Sequence, residues 1–260
     1  MLSPAEDEVY AKHAAKLVQV WFLDTATKMN PNLNYGQAVK GVKEGRPEGL
    51  IDTRHFIYML DGVRLLKSSK SWSASNDIAL KHWFSQFLTW MNTSENGTGE
   101  KNAKNNHGVW FDAQSLAVAT YVDSIDMANR IVTRATTRLD KQMNNDGLFP
   151  YELARTTSLH YSAFILNAFN IIAILSDQTS TNFWNTETAS GKSYKKGVEA
   201  IAPYLSKEKE WTWKEIRPFN FQDGYPLLLE DATKYNCTNC SGAIKKLAGE
   251  KYSQSLINLL

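Results

Sequence analysis

The sequence has no excess of charge of either sign. Its 260 residues contain 29 lysines and arginines against 27 aspartates and glutamates, a formal net charge of +2. It has no block of basic residues and no basic half, which argues against a nucleic-acid partner. Hydrophobic residues at 43% and charged residues at 22% exclude wholesale disorder. An anionic ligand would therefore need positive charge that is gathered locally.

Long apolar runs are also missing. None approaches the length of a membrane-spanning helix, so we expect no membrane partner. The acidic N-terminal segment MLSPAEDE lacks the charged-then-apolar pattern of a signal peptide. Asn-x-Ser/Thr triplets in polar, loop-like stretches nevertheless favour a secreted, extracellular glycoprotein whose signal peptide has been trimmed. These triplets begin at Asn92, Asn96, Asn236 and Asn239.

Cysteine is scarce, since Cys237 and Cys240 are the only two. A structural zinc site needs four ligands, and no second cysteine pair or histidine pair follows this Cys-x-x-Cys. A redox dithiol would want a βαβ context, which the sequence does not offer. We therefore predict a small local disulfide and no metal site.

Strand-like alternation and internal repeats are absent as well, and helical periodicity takes their place. The segment 158–175 is apolar on almost every face, which predicts a helix buried on most sides. Short turns alternate with long polar loops. We predict one all-α domain over residues 1–260, made of helical hairpins. The predicted helices lie at about 6–28, from 52, from 75, 108–121, from 124, 158–175, 194–205, 226–235 and 242–259.

Three polar loops differ from ordinary connections: 30–49, 92–106 and 144–157. Long loops without periodicity are usually functional or disordered. Amides, a histidine and isolated cations at the helix entries favour a site for a polar, anionic ligand. Aromatic residues make up 12% of the chain, and those that do not fill the core are suited to stacking on sugar rings.

Asn105, Asn106 and His107 stand together at the start of the helix predicted from residue 108. Unpaired backbone N–H groups and the positive end of the helix dipole favour a carboxylate there. Asparagine is also a common helix cap, and a single histidine is more often structural than catalytic. Trp110 and Gln114 follow on the same helix at roughly one-turn spacing.

At these residues the chain resembles the alginate-lyase superfamily of polysaccharide lyases. The resemblance rests on Asn-Asn-His-Gly-Val-Trp at 105–110, on Glu-Leu-Ala-Arg at 152–155 and on Tyr161. The stretches at 30–37 and 45–49 fit the Asn-Asn-His-Gly branch, which includes glucuronan lyases. The resemblance implies an (α/α) toroid, here an incomplete barrel because family members generally have further helices at the N-terminus. It also implies an acidic polysaccharide substrate and β-elimination without a cofactor. We expect a monomer.

The resemblance also implies roles for individual residues. Asn106 and Arg155 would neutralise the uronate carboxylate, which makes the C5 proton acidic and stabilises the enolate-like intermediate. Tyr161 would give a proton to the leaving oxygen and, in syn-elimination, would also be the base. His107 would be the base for the other geometry, or would tune Tyr161. The substrate-binding candidates are Tyr35, Gln37, Arg46, Trp110 and Gln114.

The chain departs from the familiar bacterial alginate lyases at two places. Gly108-Val109 stands where they carry a bulky aromatic, and Thr156-Thr157 replaces a denser arginine cluster. The spacing from the arginine to the tyrosine differs by one residue. The substrate is therefore open between alginate, glucuronan and another polyuronate.

Two other functions stay open. One is a toroid glycoside hydrolase that uses Glu152 with Asp112 or Asp146. The other is a non-catalytic relative that binds acidic glycans. Taken singly, Arg155 is better explained as a salt bridge to Glu152 and Tyr161 as core packing, and His160 is a second candidate for the titrating partner.

Overall fold

The computed structural model describes residues 8–235 and residue 244. The predicted disulfide and the triplets at Asn236 and Asn239 lie outside the described residues. So does the helix predicted at 242–259, apart from residue 244.

The described part of the chain is helical, and its only β-pairing consists of isolated bridges. The predicted all-α class is confirmed. The α-helices are α1 (Glu8–Val18), α2 (Phe56–Leu66), α3 (Ala74–Thr93), α4 (Glu95–Lys101), α5 (Asn106–Tyr121), α6 (Ile125–Gln142), α7 (Pro150–Leu153), α8 (Ser158–Ser176), α9 (Tyr194–Leu205) and α10 (Tyr225–Lys234). A π-helix covers Gln19–Leu23, and 3₁₀-helices cover Pro47–His55, Phe183–Asn185 and Phe221–Gly224.

Serine caps explain several of these helix starts. The Ser73 hydroxyl accepts the Asn76 N–H at the start of α3, and the Ser193 hydroxyl accepts the Lys196 N–H at the start of α9, each at 3.2 Å. Such caps satisfy backbone donors that have no partner within the helix. The observed α9 coincides with the helix predicted at 194–205.

The prediction of a loop at 92–106 was wrong except at residues 102–105, which connect α4 to α5. Asn92 lies in α3, and Asn96 lies in α4, so these two triplets are helical rather than loop-like. Ser94 begins α4 by accepting the Gly97 N–H at 3.0 Å. The weak helix propensity of glycine hid this helix, but Gly97 is needed because a Cβ there would lie closer than 3.0 Å to the Met91 carbonyl oxygen.

The helix predicted from residue 52 begins later than expected. Asp52 lies inside the 3₁₀-helix Pro47–His55, and α2 begins only at Phe56. Pro47 occupies the first turn, where its fixed backbone angle favours a helical start.

The described chain divides into two compact units. The first comprises residues up to Asn102 together with Ala113–Ala128, and the second comprises Ala103–Asp112 and residues from Asn129 onwards. The single domain predicted over residues 1–260 stays a prediction.

An aromatic cluster forms the core of the first unit. It joins the π-helix, α2 and α3 through Phe22, Phe56, Trp83, Phe84 and Phe87. The Trp83 ring lies 4.8 Å from that of Phe22 and 4.9 Å from that of Phe84, with edge-to-face geometry in both pairs. Such pairs add to the stabilisation that burial of the rings already gives.

The core of the second unit is built around α8. This helix is long and apolar enough to cross a membrane by length and composition, contrary to the expectation that no run approaches that length. However, 72% of its apolar window is buried inside the protein, as in an ordinary core helix. Asn170 interrupts the apolar run in sequence but has a hydrogen-bond partner inside the core. Its side-chain oxygen accepts a hydrogen bond from the Tyr194 hydroxyl at 3.1 Å. Length and composition are therefore weak evidence for a membrane span.

We expect Phe84→Ala to lower the free energy of unfolding by about 3 to 5 kcal/mol, because it leaves a cavity in the aromatic cluster. Phe84 is 0% exposed, whereas Ile78 on the same helix is 70% exposed. The control Ile78→Ala should change the free energy by about 0.5 kcal/mol or less. Urea denaturation followed by circular dichroism measures both, and equal losses would contradict the stabilising role of the cluster.

Candidate functional site

The start of α5 is held by a buried carboxylate from α7. The Asn106 backbone N–H donates to Glu152 Oε1 at 2.7 Å, and Asn106 Nδ2 donates to Glu152 Oε2 at 2.9 Å. Both residues are fully buried. A carboxylate at a helix N-terminus satisfies an orphan N–H and complements the helix dipole. The contact therefore fixes the first turn of α5, which carries Asn106 and His107.

Opposing influences act on the pKa of the Glu152 carboxyl. Burial raises the pKa of its carboxyl above the usual value, while the hydrogen bonds from Asn106 and the electrostatic influence of Arg155 and His107 oppose that rise. Asn106 Oδ1 is buried and has no hydrogen-bond partner among the described residues. Glu152 therefore holds the nitrogen end of the Asn106 amide, and no described residue binds the oxygen end.

Arg155 lies in the bend between α7 and α8, and Tyr161 lies one turn into α8. Arg155 Nη2 donates to the Tyr161 hydroxyl oxygen at 2.8 Å, and the guanidinium carbon lies 3.9 Å from the centroid of the Tyr161 ring. The cation therefore covers the ring and also donates a hydrogen bond to its oxygen.

A distant segment caps α8 and so places Tyr161. The Ser158 N–H donates to the Lys214 carbonyl at 3.1 Å, and the Leu159 N–H donates to Glu215 Oε2 at 2.7 Å. Trp211 Nε1 also donates to the Ser158 hydroxyl at 2.8 Å. Sequence reasoning missed this support because the cap lies 56 residues from the helix start.

The histidines and Trp110 occupy different settings in the second unit. His107 is half-buried, and its backbone N–H donates to Asn105 Oδ1 at 3.2 Å. His160 is exposed, and its ring stacks on that of Phe164 with centroids 6.0 Å apart. Trp110 is only 3% exposed and its ring lies 4.8 Å from that of Phe164, which is the setting of a core residue. Its role in substrate binding stays a prediction.

The remaining substrate-binding candidates lie in the first unit. Arg46 Nη2 donates to Gln37 Oε1 at 2.6 Å, so these two side chains form one polar pair. Gln114 is buried, and its Oε1 accepts the Thr53 hydroxyl at 2.8 Å. Tyr35 is 72% exposed and borders a pocket of about 350 Å³. The pocket is lined by Asn34, Tyr35, Glu44, Gly45, Ser94, Glu95 and Asn96.

Asp112 is the anchor of a buried ion-pair cluster in the second unit. Arg134 Nε donates to its Oδ1 at 2.7 Å, and Arg138 Nε donates to its Oδ2 at 2.6 Å. Gly108 makes room for this cluster, because a Cβ there would lie closer than 3.0 Å to the Arg138 guanidinium and to the Ala103 carbonyl oxygen. The glycine of the Asn-Asn-His-Gly motif is therefore a packing requirement.

No group of three or more histidine, cysteine, aspartate or glutamate side chains in the described ranges is arranged to hold a metal ion.

The described residues form an all-α fold that carries an amide, a histidine, an arginine and a tyrosine near two helix starts. The model of the family described as alginate lyase matches residues 2–211. The chain belongs to the alginate lyase family.

A solved structure supports this assignment. The chain is similar to an alginate lyase from Bacteroides ovatus, whose crystal structure was determined at 1.60 Å resolution, with a TM-score of 0.87 and 32% sequence identity. The match covers 93% of this chain and 66% of that chain, so this chain spans about two thirds of the length of that relative. The shared fold confirms the predicted (α/α) toroid. No curated protein matches the chain.

We expect Gly108→Ala to lower the free energy of unfolding by about 1 to 3 kcal/mol, because the added methyl group must displace backbone or the Arg138 guanidinium. Gly62 in α2 is the matched control, since a Cβ there meets no atom within 4 Å. Gly62→Ala should raise the free energy of unfolding by about 0.5 to 1 kcal/mol through helix propensity. Denaturant titration measures both signs, and a stabilising Gly108→Ala would contradict the packing argument.

Proposed function

We propose that this chain is a secreted polysaccharide lyase that cleaves a 4-linked polyuronate, alginate or glucuronan, by β-elimination. Membership of the alginate lyase family supports the reaction class. The observation that carries the proposal is the contact of Arg155 with Tyr161, since it pairs a proton-transfer group with a cation. Asn106 lies in the same unit, where Glu152 fixes it.

The first task is to make the C5 proton of the uronate acidic. While the neighbouring carboxylate carries a full negative charge, a carbanion at C5 is strongly disfavoured. A hydrogen bond from the Asn106 amide and the charge of Arg155 would neutralise that carboxylate and stabilise the enolate-like intermediate. A fixed amide does this better than a mobile one, because it needs no reorganisation as charge develops.

The second task is proton transfer. The C5–H and C4–O bonds break, a C4–C5 double bond forms, and the leaving oxygen takes a proton. Tyr161 is the proposed proton donor to that oxygen and, in syn-elimination, also takes the C5 proton. Arg155 stabilises the phenolate that this role requires. His107 is the proposed base where the substrate geometry places the C5 proton on the opposite face.

The setting of the carboxylates counts against a glycoside hydrolase. Such an enzyme needs two carboxyl groups that reach the glycosidic bond. Both oxygens of Glu152 accept hydrogen bonds from Asn106, and both oxygens of Asp112 accept hydrogen bonds from arginines. Asp146, the other candidate, is exposed.

The test follows ultraviolet absorbance while the protein acts on polyglucuronate, polymannuronate, polyguluronate and a neutral glucan. A rise on a polyuronate reports the conjugated double bond of an unsaturated uronate end. We expect Tyr161→Phe to lower kcat by about 10²- to 10⁴-fold, because the proton donor is removed. Tyr10→Phe, at an exposed tyrosine of α1, should leave kcat unchanged.

Two other outcomes would contradict the lyase proposal. Saturated reducing ends without absorbance would indicate a hydrolase. A flat trace on all four polymers, from folded protein that retains binding to a polyuronate, would indicate the binding-only relative.

We expect Arg155→Lys to lower kcat/KM by about 10- to 100-fold. Lysine keeps the positive charge but loses the planar fork that covers the Tyr161 ring while donating to its oxygen. Arg130→Lys, at an exposed position of α6, is the control and should retain full activity. Full activity in Arg155→Lys would show that charge alone is sufficient.

A further inference from the structure

We propose that Glu152 is a positioning residue whose carboxylate sets the orientation of the Asn106 amide for binding of the uronate carboxylate. This inference rests on the proposed function. It assigns to Glu152 a task that is neither acid–base catalysis nor a salt bridge to Arg155.

The first step of the argument is the two-point contact. One carboxylate receives both the backbone N–H and the side-chain N–H of the same residue, at 2.7 and 2.9 Å. Holding a residue by main chain and side chain together removes rotation of the side chain about its bonds. A helix cap needs only the backbone contact, so the second hydrogen bond is not explained by capping.

The second step concerns which end of the amide faces Glu152. Both carboxylate oxygens act as acceptors here, which matches the ionised form. An ionised acceptor holds Nδ2 against itself and leaves Oδ1 on the other side, where it is buried and has no partner among the described residues. Nδ2 carries two N–H bonds, and Glu152 uses one of them. The proposed function assigns the second to the carboxylate of the substrate.

The third step concerns the energy of this arrangement. A buried acceptor without a hydrogen bond is unfavourable, so an Asn106 side chain that rotated freely would tend to turn Oδ1 towards any available donor. The carboxylate of Glu152 prevents this, because it would repel Oδ1. Holding Nδ2 in one place therefore leaves Oδ1 without a hydrogen bond.

The test uses Glu152→Gln. The glutamine oxygen can still accept the Asn106 backbone N–H, but its Nε2 would face Nδ2, donor against donor. Rotation of the Asn106 amide by half a turn relieves this conflict and moves Nδ2 away from its present position. We expect kcat to fall about 10- to 100-fold while the melting temperature stays close to that of the unchanged protein. The control Glu199→Gln, at an exposed carboxylate of α9 that pairs with Lys195, should retain full kcat.

A double-mutant cycle separates positioning from general structural support. Asn106→Ala should lower kcat about 100- to 1000-fold. If Glu152 acts through Asn106, adding Glu152→Gln to Asn106→Ala should lower kcat by no more than about 2-fold further. Multiplication of the two losses, or full activity of Glu152→Gln alone, would overturn the proposal.

A second readout does not depend on activity. In protein labelled with ¹⁵N, the side-chain NH₂ signals of Asn106 are identified by their loss in Asn106→Ala. One proton of the pair should be shifted downfield by its charged acceptor, and Glu152→Gln should remove that shift. Unchanged signals would overturn the positioning role. If no polyuronate is cleaved, the proposed function fails, and the NMR comparison still decides whether Glu152 orients the amide.

Discussion

The pair of hydrogen bonds between Asn106 and Glu152 is the interaction on which the candidate site depends. A helix that begins in the interior must satisfy its first backbone N–H groups without water, and a buried carboxylate does this for α5. The same carboxylate ties α5 to α7, and the chain leaves α7 directly towards Arg155. Glu152 therefore helps to place the two segments that carry Asn106, His107 and Arg155.

The start of α8 uses the same physical device. There Glu215 and the Lys214 carbonyl accept the first N–H groups, which places Tyr161 one turn further along the helix. Buried carboxylates cost desolvation, and cations in the second unit oppose that cost. Arg155 does so for Glu152, and Arg134 and Arg138 do so for Asp112, which lies inside α5.

Local sequence patterns predicted most of the helices, because amphipathic periodicity and serine caps act within a few residues. They failed where a contact remote in sequence overrode the local preference. The prediction of a loop after Asn92 missed α4, in which Gly97 is required by the close approach of the Met91 carbonyl. Asn170 interrupts the apolar run of α8 in sequence, and only Tyr194 shows why it is tolerated inside the core.

The sequence by itself determined the all-α class, the positions of the main helices and the set of candidate residues, since periodicity and motif spacing are local properties. Only the tertiary structure decided what each residue contacts. It paired Glu152 with Asn106 across 46 positions, buried Trp110 against Phe164 and turned Arg155 onto Tyr161. Hydrogen-bond partners and burial depend on which helices pack together, and no local pattern encodes that packing.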